Sequence, residues 1–372
     1  MLAISLASPY LGHSFDVVLC VQTTMIEVDG AAKSGSGTLL RYAVSLATLL
    51  GEELHMWNIR AAREKPGLRH QHRQAVLACC DVSQGSAEGA ALGSMEIWYT
   101  PGKAMEGGSY SWDIGTGGST TMLAMTLLPV ACFAAKPSSF TISGGLFQDF
   151  APSAYHMKYV FFPFLRKMGI DADVEIRRPG YAEQGGGIIE VKVMPVDKIK
   201  AVRVTKPASV SLVKGIALCS HLKQAEVSDR MAQECERALK RAGYRVSIET
   251  VYDSTATHPG AALAVWVDSE DCHIGSDMAG RRGRRAETIG RQVANNLIED
   301  IASGATVDRF LADQVILYAA LAEGVTEYLI PRLTDHVDAN LWLVGAVLGK
   351  FGAETELQGQ RVRIKGIGYS RG

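Results

Sequence analysis

The sequence predicts an α/β (α+β) protein in which a large domain of repeated strand and helix units is interrupted by a smaller inserted domain. Short apolar runs typical of strands alternate with apolar residues at helical spacing from Met25 onward. Glycine-rich turns separate these runs, and 38 of the 372 residues are glycine. The pattern changes near residue 206 and returns near 305, so we expect a large domain over 25–205 and 305–372 and an inserted domain over 206–304.

The elements follow in chain order, and the copies share too little sequence to prove a repeat. In the first part of the large domain, strands are predicted at 25–28, 53–59, 138–143, 173–177 and 188–193, with hairpin-like strands near 94–99 and 109–112, and helices at 39–50, 74–82, 120–134 and 154–168. The inserted domain is predicted to hold strands 215–217, 245–251 and 262–267 and helices 223–242 and 285–302. The last part is predicted to hold helices 311–322 and 338–348 and strands 327–331, 355–357 and 361–367.

Composition excludes several classes of protein. A net charge of -1 with 47% hydrophobic residues argues against a disordered chain and against general coating of nucleic acid, although a local basic cleft remains compatible. Seven scattered cysteines without a C-x-x-C pair argue against a disulfide framework or zinc knuckle and favour a reducing cytoplasm. The longest apolar stretch, 123–135, is too short for a membrane span. Residues 1–24 contain no Lys or Arg, so we interpret them as an arm or a misassigned start rather than a secretory signal.

A basic segment follows the second predicted strand. It reads R-A-A-R-E-K-P-G-L-R-H-Q-H-R over 60–73 and contains five Lys or Arg residues against one Glu, a local charge of +4. Arginine forks match phosphate oxygens bidentately, so the segment is a candidate phosphate-binding loop. A solvated charged loop is the alternative.

Two glycine-rich turns, G-S-G before the helix at Leu39 and G-T-G-G-S before the helix at Thr120, join a predicted strand to a helix. Free backbone N–H groups at such helix starts favour anions, although tight connections are the alternative. His70 and His72 are a weak metal signal without a further close ligand. The run R-R-G-R-R over 281–285 is interpreted as a solvated loop, with an RNA contact as the alternative.

His336 opens a predicted helix, and Asn340 shares its face four residues later. The helix dipole favours the neutral imidazole, which a nucleophile requires, whereas Asp335 and Asp338 oppose this effect. The alternative is a surface histidine without a catalytic role. Asp313 in A-D-Q is most simply a helix-start residue.

Taken in order, these segments resemble the RNA 3'-terminal phosphate cyclase family from about residue 26 to 362. R-A-A-R-E-K-P-G-L-R-H-Q-H is similar to the family's R-A-G-R-x-K-P-G-L-x-x-Q-H, and D-I-G-T-G-G-S, R-P-G-Y-A-E-Q-G-G-G, L-A-D-Q and the histidine at His336 support it. The resemblance implies three units like the C-terminal domain of a bacterial translation initiation factor, with a thioredoxin-like insert. It also implies transfer of AMP from ATP to a histidine, then to an RNA 3'-phosphate, which ends as a 2',3'-cyclic phosphate.

The resemblance also implies roles for individual residues. His336 is the expected nucleophile, and Arg41, Arg60 and Arg63 would bind phosphates of ATP or RNA, with Gln71 as a further polar group of the site. Besides His336, the expected ATP-binding residues are Pro152 and Phe310, which match an adenine-stacking pair, together with Asp313 and Gln314. ATP, a divalent metal (Mg or Mn) and an RNA with a 3'-phosphate are the expected partners, with a homodimer as one option for the assembly.

The sequence departs from the family pattern in the first glycine-rich turn, where Ser34 and Thr38 replace an acid and an amide. Leu146 and Phe147 stand where Thr and Asp are usual, and Ala339 replaces a Thr. Metal use at the first turn is therefore open. A non-catalytic RNA-binding or ribosome-assembly factor with the same fold is the alternative function, and an enolpyruvyl-transferase-like enzyme is a second one.

Overall fold

The computed structural model describes residues 25–33, 35–149, 151–182, 184–207, 209–269 and 272–371. The expected arm, residues 1–24, and Ser34 of the first glycine-rich turn lie outside these ranges. Over the ranges that are described, no helix combines the length and the apolar character needed to cross a membrane.

Strands and helices alternate as the periodicity predicts. In chain order the strands are β1 (Ile26–Asp29), β2 (Leu54–Trp57), β3 (Ser86–Glu88), β4 (Ile97–Thr100), β5 (Gly108–Asp113), β6 (Ser138–Gly144), β7 (Ala172–Arg178), β8 (Gly187–Val193), β9 (Arg203–Val204), β10 (Val213–Ser220), β11 (Val246–Asp253), β12 (Gly260–Val267), β13 (Gly275–Ala279), β14 (Glu323–Leu329), β15 (Glu354–Gln358) and β16 (Arg361–Ile367). The α-helices are α1 (Gly37–Leu50), α2 (His70–Ser83), α3 (Thr120–Ala131), α4 (Ala154–His156), α5 (Phe162–Lys167), α6 (Val227–Arg241), α7 (Ala286–Ala302), α8 (Leu311–Gln314), α9 (Ile316–Leu321) and α10 (Asp335–Leu348).

Three of the sheets have one topology, which confirms the predicted repeated units. Their orders are β1-β2-β4-β3, β5-β6-β8-β7 and β9-β14-β16-β15. In each, the first two strands are parallel and the last two form an antiparallel hairpin. One helical segment connects the parallel pair and a second precedes the hairpin, so every unit runs strand, helix, strand, helix, strand, strand. Parallel strands can be joined only by a long crossover connection, and the first helical segment of each unit lies within that connection.

The third unit is interrupted between β9 and α8. The interruption contains a fourth sheet, β11-β10-β12-β13, and the helices α6 and α7, which pack against each other. Most of its buried apolar side chains, from Val213 to Leu297, form a cluster separate from the main core, whereas Leu218, Ala262 and a few others join the main core. The boundaries 206–304 and the thioredoxin-like description stay predictions.

The structure corrects several predicted elements. The strands predicted near 94–99 and 109–112 do not form a hairpin, because β4 pairs with β2 and β3 whereas β5 pairs with β6 in the next unit. Strand β3 was missed because Ser-Ala-Glu is short, polar and at a sheet edge. Strand β13 in the insert was also missed. The helix predicted over 311–322 is two helices, and the one over 154–168 contains a π-helical turn, Met157–Phe161.

Side-chain caps fix the three helix starts that matter for the site. Ser36 Oγ accepts from Thr38 N at the start of α1, and Ser119 Oγ accepts from Met122 N at the start of α3. Thr334 Oγ1 accepts from Val337 N at the start of α10. Each cap satisfies one free N–H and so defines where the helix begins.

Candidate functional site

The site forms where the N-termini of α1 and α10 meet, although they are 300 residues apart in sequence. Ser36 Oγ lies 3.4 Å from His336 Nδ1. One turn deeper, Thr38 Oγ1 donates to Asn340 Oδ1 at 3.2 Å, and both side chains are buried. Thr38, one of the departures from the family pattern, therefore joins the two helices.

His336 is exposed to solvent, and the Nδ1 edge of its ring faces Ser36 Oγ. Neighbouring protein atoms and the positive charges of Arg41 and Arg63 lower its pKa below 6.5, and Asp335 opposes this shift. The neutral ring is therefore the main form at neutral pH. Ser36 Oγ already accepts from Thr38 N, and its second lone pair can accept a hydrogen bond from Nδ1–H of His336. That tautomer leaves a lone pair on Nε2.

Three polar residues lie on the buried side of the site: Arg41, whose charge acts on both His336 and Asp313, Asp313 itself, and Gln314, which follows it in α8. Arg41 is only 6% exposed, and its Nη1 is buried without a hydrogen-bond partner among the described residues. Burial raises the pKa of Asp313 to about 7, and the charge of Arg41 opposes this shift. Asn340 Nδ2 donates to Asp313 O and Oδ2 at 3.1 and 3.4 Å. Gln314 Oε1 is also buried without a described partner.

The basic segment lies partly at this site. Arg63 is exposed and close enough to lower the pKa of His336. Arg60 has a positive φ of 54°, and its Nη1 donates to the carbonyls of Lys65 and Gly67 at 2.8 and 2.7 Å. Arg60 therefore stabilises the loop with part of the guanidinium that was expected to bind phosphate.

Contrary to the boundary predicted at residue 74, α2 begins at His70, so the end of the basic segment is helical. His72 is buried in the first turn, where its Nδ1 accepts from Arg69 N. Burial lowers its pKa to about 3, with smaller contributions from nearby arginines. Its Nε2 faces Gly37, where any side chain would collide with the ring. His72 thus packs α2 against the start of α1.

Three further predicted residues lie around this cluster and have no described contact with His336. Gln71 Oε1 accepts from Ser119 N at 2.9 Å and so holds the G-T-G-G-S turn. The Pro152 carbonyl accepts from Thr121 Oγ1 at 2.7 Å, and Phe310 is half-buried with its ring against the edge of His156.

A buried polar group that no sequence pattern indicated joins the segments after Pro152 and before Phe310. His156 Nε2 and Asp308 Oδ2 are 3.0 Å apart, and both side chains are almost fully buried. Asp308 Oδ1 also accepts from Phe310 N, while Asp277 accepts from Ser153 N. Residues so distant in sequence carry no spacing signal.

In the part of the chain that the structure describes, no three His, Cys, Asp or Glu side chains are grouped so as to hold a metal ion. His70 and His72 do not share a site, because His70 is exposed and His72 is buried. Leu146, Phe147 and Ala339, the other departures from the family pattern, are buried in the core.

Comparisons with known proteins agree with the sequence motifs. Residues 32–351 match the family described as RNA 3'-terminal phosphate cyclase. The RNA 3'-terminal phosphate cyclase of Pyrococcus abyssi is 35% identical to this chain, and the alignment covers 88% of this chain and 94% of the relative. The RNA 3'-terminal phosphate cyclase of Archaeoglobus fulgidus is also 35% identical, with 92% of this chain and 100% of the relative covered. Among solved structures, an EPSP synthase from Acinetobacter baumannii aligns with 93% of this chain at 12% identity and a TM-score of 0.40, and the alignment covers 48% of the synthase chain. The chain thus spans about half of that solved protein.

Proposed function

The chain belongs to the RNA 3'-terminal phosphate cyclase family, and from that premise we propose that it uses ATP to convert an RNA 3'-terminal phosphate to a 2',3'-cyclic phosphate through AMP held on His336. The observation that carries this proposal is the exposed imidazole of His336, 3.4 Å from Ser36 and within the field of Arg41 and Arg63. A neutral ring with one nitrogen fixed and the other free is what a nitrogen nucleophile requires.

In the first step, Nε2 of His336 attacks the α-phosphorus of ATP. The Nε2–P bond forms as the bond from the α-phosphorus to its bridging oxygen breaks, and pyrophosphate leaves. Ser36 Oγ accepts the hydrogen bond from Nδ1–H, which keeps the attacking lone pair on Nε2. Splitting the transfer in this way replaces one difficult reaction with two easier ones.

Negative charge on the transferring phosphoryl group needs cations that are already in place. Arg41 offers a buried Nη1 that no described residue engages, and Arg63 is exposed on the same side. Preorganised donors of this kind act strongly where water is excluded. The half-buried ring of Phe310 and the nearby Pro152 are the surfaces that we assign to the adenine.

In the next steps, a 3'-phosphate oxygen of the RNA attacks the same phosphorus and the P–N bond breaks, so His336 is restored. The neighbouring 2'-hydroxyl then attacks the 3'-phosphorus, AMP leaves, and a 2',3'-cyclic phosphate remains. A divalent cation, Mg²⁺ or Mn²⁺, stays a prediction, and because the described site residues form no metal cluster we derive no step through one.

The experiment is incubation with α-labelled ATP and a divalent cation, followed by denaturing electrophoresis. We expect a covalent label that acid removes and alkali does not. His336→Ala should abolish it, whereas His70→Ala, a change at an exposed histidine of α2, should keep it.

Absence of any label in the unmodified protein, with RNA binding intact, would refute the enzymatic proposal and favour the assembly-factor alternative. An enolpyruvyl-transferase-like activity would need no nucleotide. A label that survives in His336→Ala would mean that another residue is the nucleophile.

A further inference from the structure

A cavity of about 600 Å³ lies between the large domain and the insert. Large-domain residues at 148–149, 181–182 and 184–185 form one wall, and the insert forms the other through the starts of α6 and α7 and the segments 258–261 and 279–285. Five arginines line it, namely Arg230, Arg281, Arg282, Arg284 and Arg285. Four of them belong to the R-R-G-R-R run over 281–285, for which the sequence predicts a solvated loop.

Two of the five arginines are neutralised by carboxylates. Arg284 Nη1 and Nη2 donate to the two oxygens of Asp149 at 2.6 and 2.7 Å, which ties the insert to the large domain. Arg230 pairs with Glu287 at 2.8 Å, and that glutamate occupies the first turn of α7. Within the described part of the chain, the side chains of Arg281 and Arg282 make no hydrogen bond or ion pair, and both are exposed. With Arg285, they leave the cavity positively charged.

The interior of the cavity is apolar. Leu222, Val227 and Ile289 line it together with several alanines and the buried ring of Tyr181. Gly260 is required here, because a side chain at that position would collide with the Tyr181 ring. An apolar floor beneath exposed arginines that no described carboxylate pairs suits a ligand with a flat base and a phosphate, since bases bury on apolar surfaces while phosphates pair with guanidinium groups.

The cavity is connected to the His336 side of the molecule through the G-T-G-G-S turn. Gly117 packs so closely on the Ala182 carbonyl that no side chain would fit there, and Gly185 packs in the same way on Thr116. Ser119, at the other end of the turn, is held by Gln71 of the basic segment. The turn therefore contacts both the cavity wall and the helical end of the basic segment.

We propose that this cavity binds nucleotides of the RNA that lie upstream of the terminal phosphate, with backbone phosphates on Arg281, Arg282 and Arg285 and a base on the apolar floor. The inference rests on the proposed function, because it concerns how that RNA is held. The insert then contributes affinity for long substrates while the chemistry occurs at His336.

The test uses a double variant in which Arg281 and Arg282 are both replaced by alanine. Its matched control is a second double variant in which Arg241 and Arg361 are both replaced by alanine. The control arginines are also exposed and without a described side-chain partner. Binding and cyclisation are measured with two RNAs ending in a 3'-phosphate, a trinucleotide and a dodecanucleotide. We expect the double variant to bind the dodecanucleotide roughly tenfold more weakly and to lose about 1.4 from the slope of log affinity against log salt, because each single-strand phosphate contact contributes about 0.7. Trinucleotide affinity and labelling by ATP should not change.

Equal affinity of the double variant and the control for the dodecanucleotide would overturn the inference while leaving the proposed function intact. Equal weakening toward both RNAs would also overturn it, because the arginines would then act near the terminal phosphate. If the unmodified protein accepts no AMP yet the double variant still loses affinity for the dodecanucleotide, the proposed function fails and the RNA-binding cavity stands.

Discussion

Asp313→Asn should change how the stability of the protein depends on pH. The Asp313 carboxyl accepts from Asn340, one turn after His336 in α10, and burial raises its pKa from 3.8 to about 7 despite the nearby positive charge of Arg41. Asparagine has the same shape and keeps an oxygen that can accept from Asn340 Nδ2. The substitution therefore removes the ionisation and retains the packing.

The magnitude follows from the two pKa values. Between pH 3.8 and about 7 the unfolded chain releases the Asp313 proton while the folded protein keeps it, so stability falls as pH rises through this window. Each pKa unit corresponds to about 1.4 kcal/mol, and the side chain is half-buried rather than sealed, so we expect a loss of about 2–4 kcal/mol. The amide that replaces the carboxyl in the variant cannot ionise, so the variant should not show this loss.

The assay is urea unfolding at a series of pH values from 4 to 8, with Asp197→Asn, a change at an exposed carboxylate, as the control. The Asp313→Asn variant should match the unmodified protein near pH 4 and exceed its free energy of unfolding by about 2–4 kcal/mol near pH 8. Parallel curves for the two proteins, or a gap that grows toward acid, would refute the reasoning about this buried carboxyl.

Three further outcomes are expected at the same site. Ser36→Ala removes the cap of α1, so the free energy of unfolding measured with urea should fall by about 0.5–2 kcal/mol. The same variant removes the partner of His336 Nδ1, so ATP labelling should slow, and an unchanged labelling rate would contradict the proposed tautomer. Arg41→Met should slow labelling by about a hundredfold in a folded protein, and a normal rate would remove Arg41 from the site. Burial and the charges of Arg41 and Arg63 lower the pKa of His336, so the initial labelling rate of the Asp313→Asn variant, which lacks the carboxyl that titrates near pH 7, should fall toward acid; a rate that rises toward acid would count against a neutral His336 nucleophile.

Much of the fold could be predicted because it depends on local patterns. Apolar spacing located the main helices, and the glycine-rich turns indicated where two of them begin. The errors occurred where pairing between distant strands decides the structure. The polar edge strand β3 has no apolar alternation to reveal it, and the choice of β6 rather than β4 as the partner of β5 depends on the repeat as a whole.

The sequence by itself determined the alternation of strands and helices and the family motifs with His336 and the basic segment. Only the tertiary structure placed Ser36 against His336 and joined Thr38 to Asn340. It alone also showed that Arg60 is partly engaged by its own loop, while Arg41 is buried with a donor that no described residue engages. The reason is physical: propensity and periodicity act over a few residues, whereas burial, charge and hydrogen bonding at a site depend on groups that only the folded chain brings together.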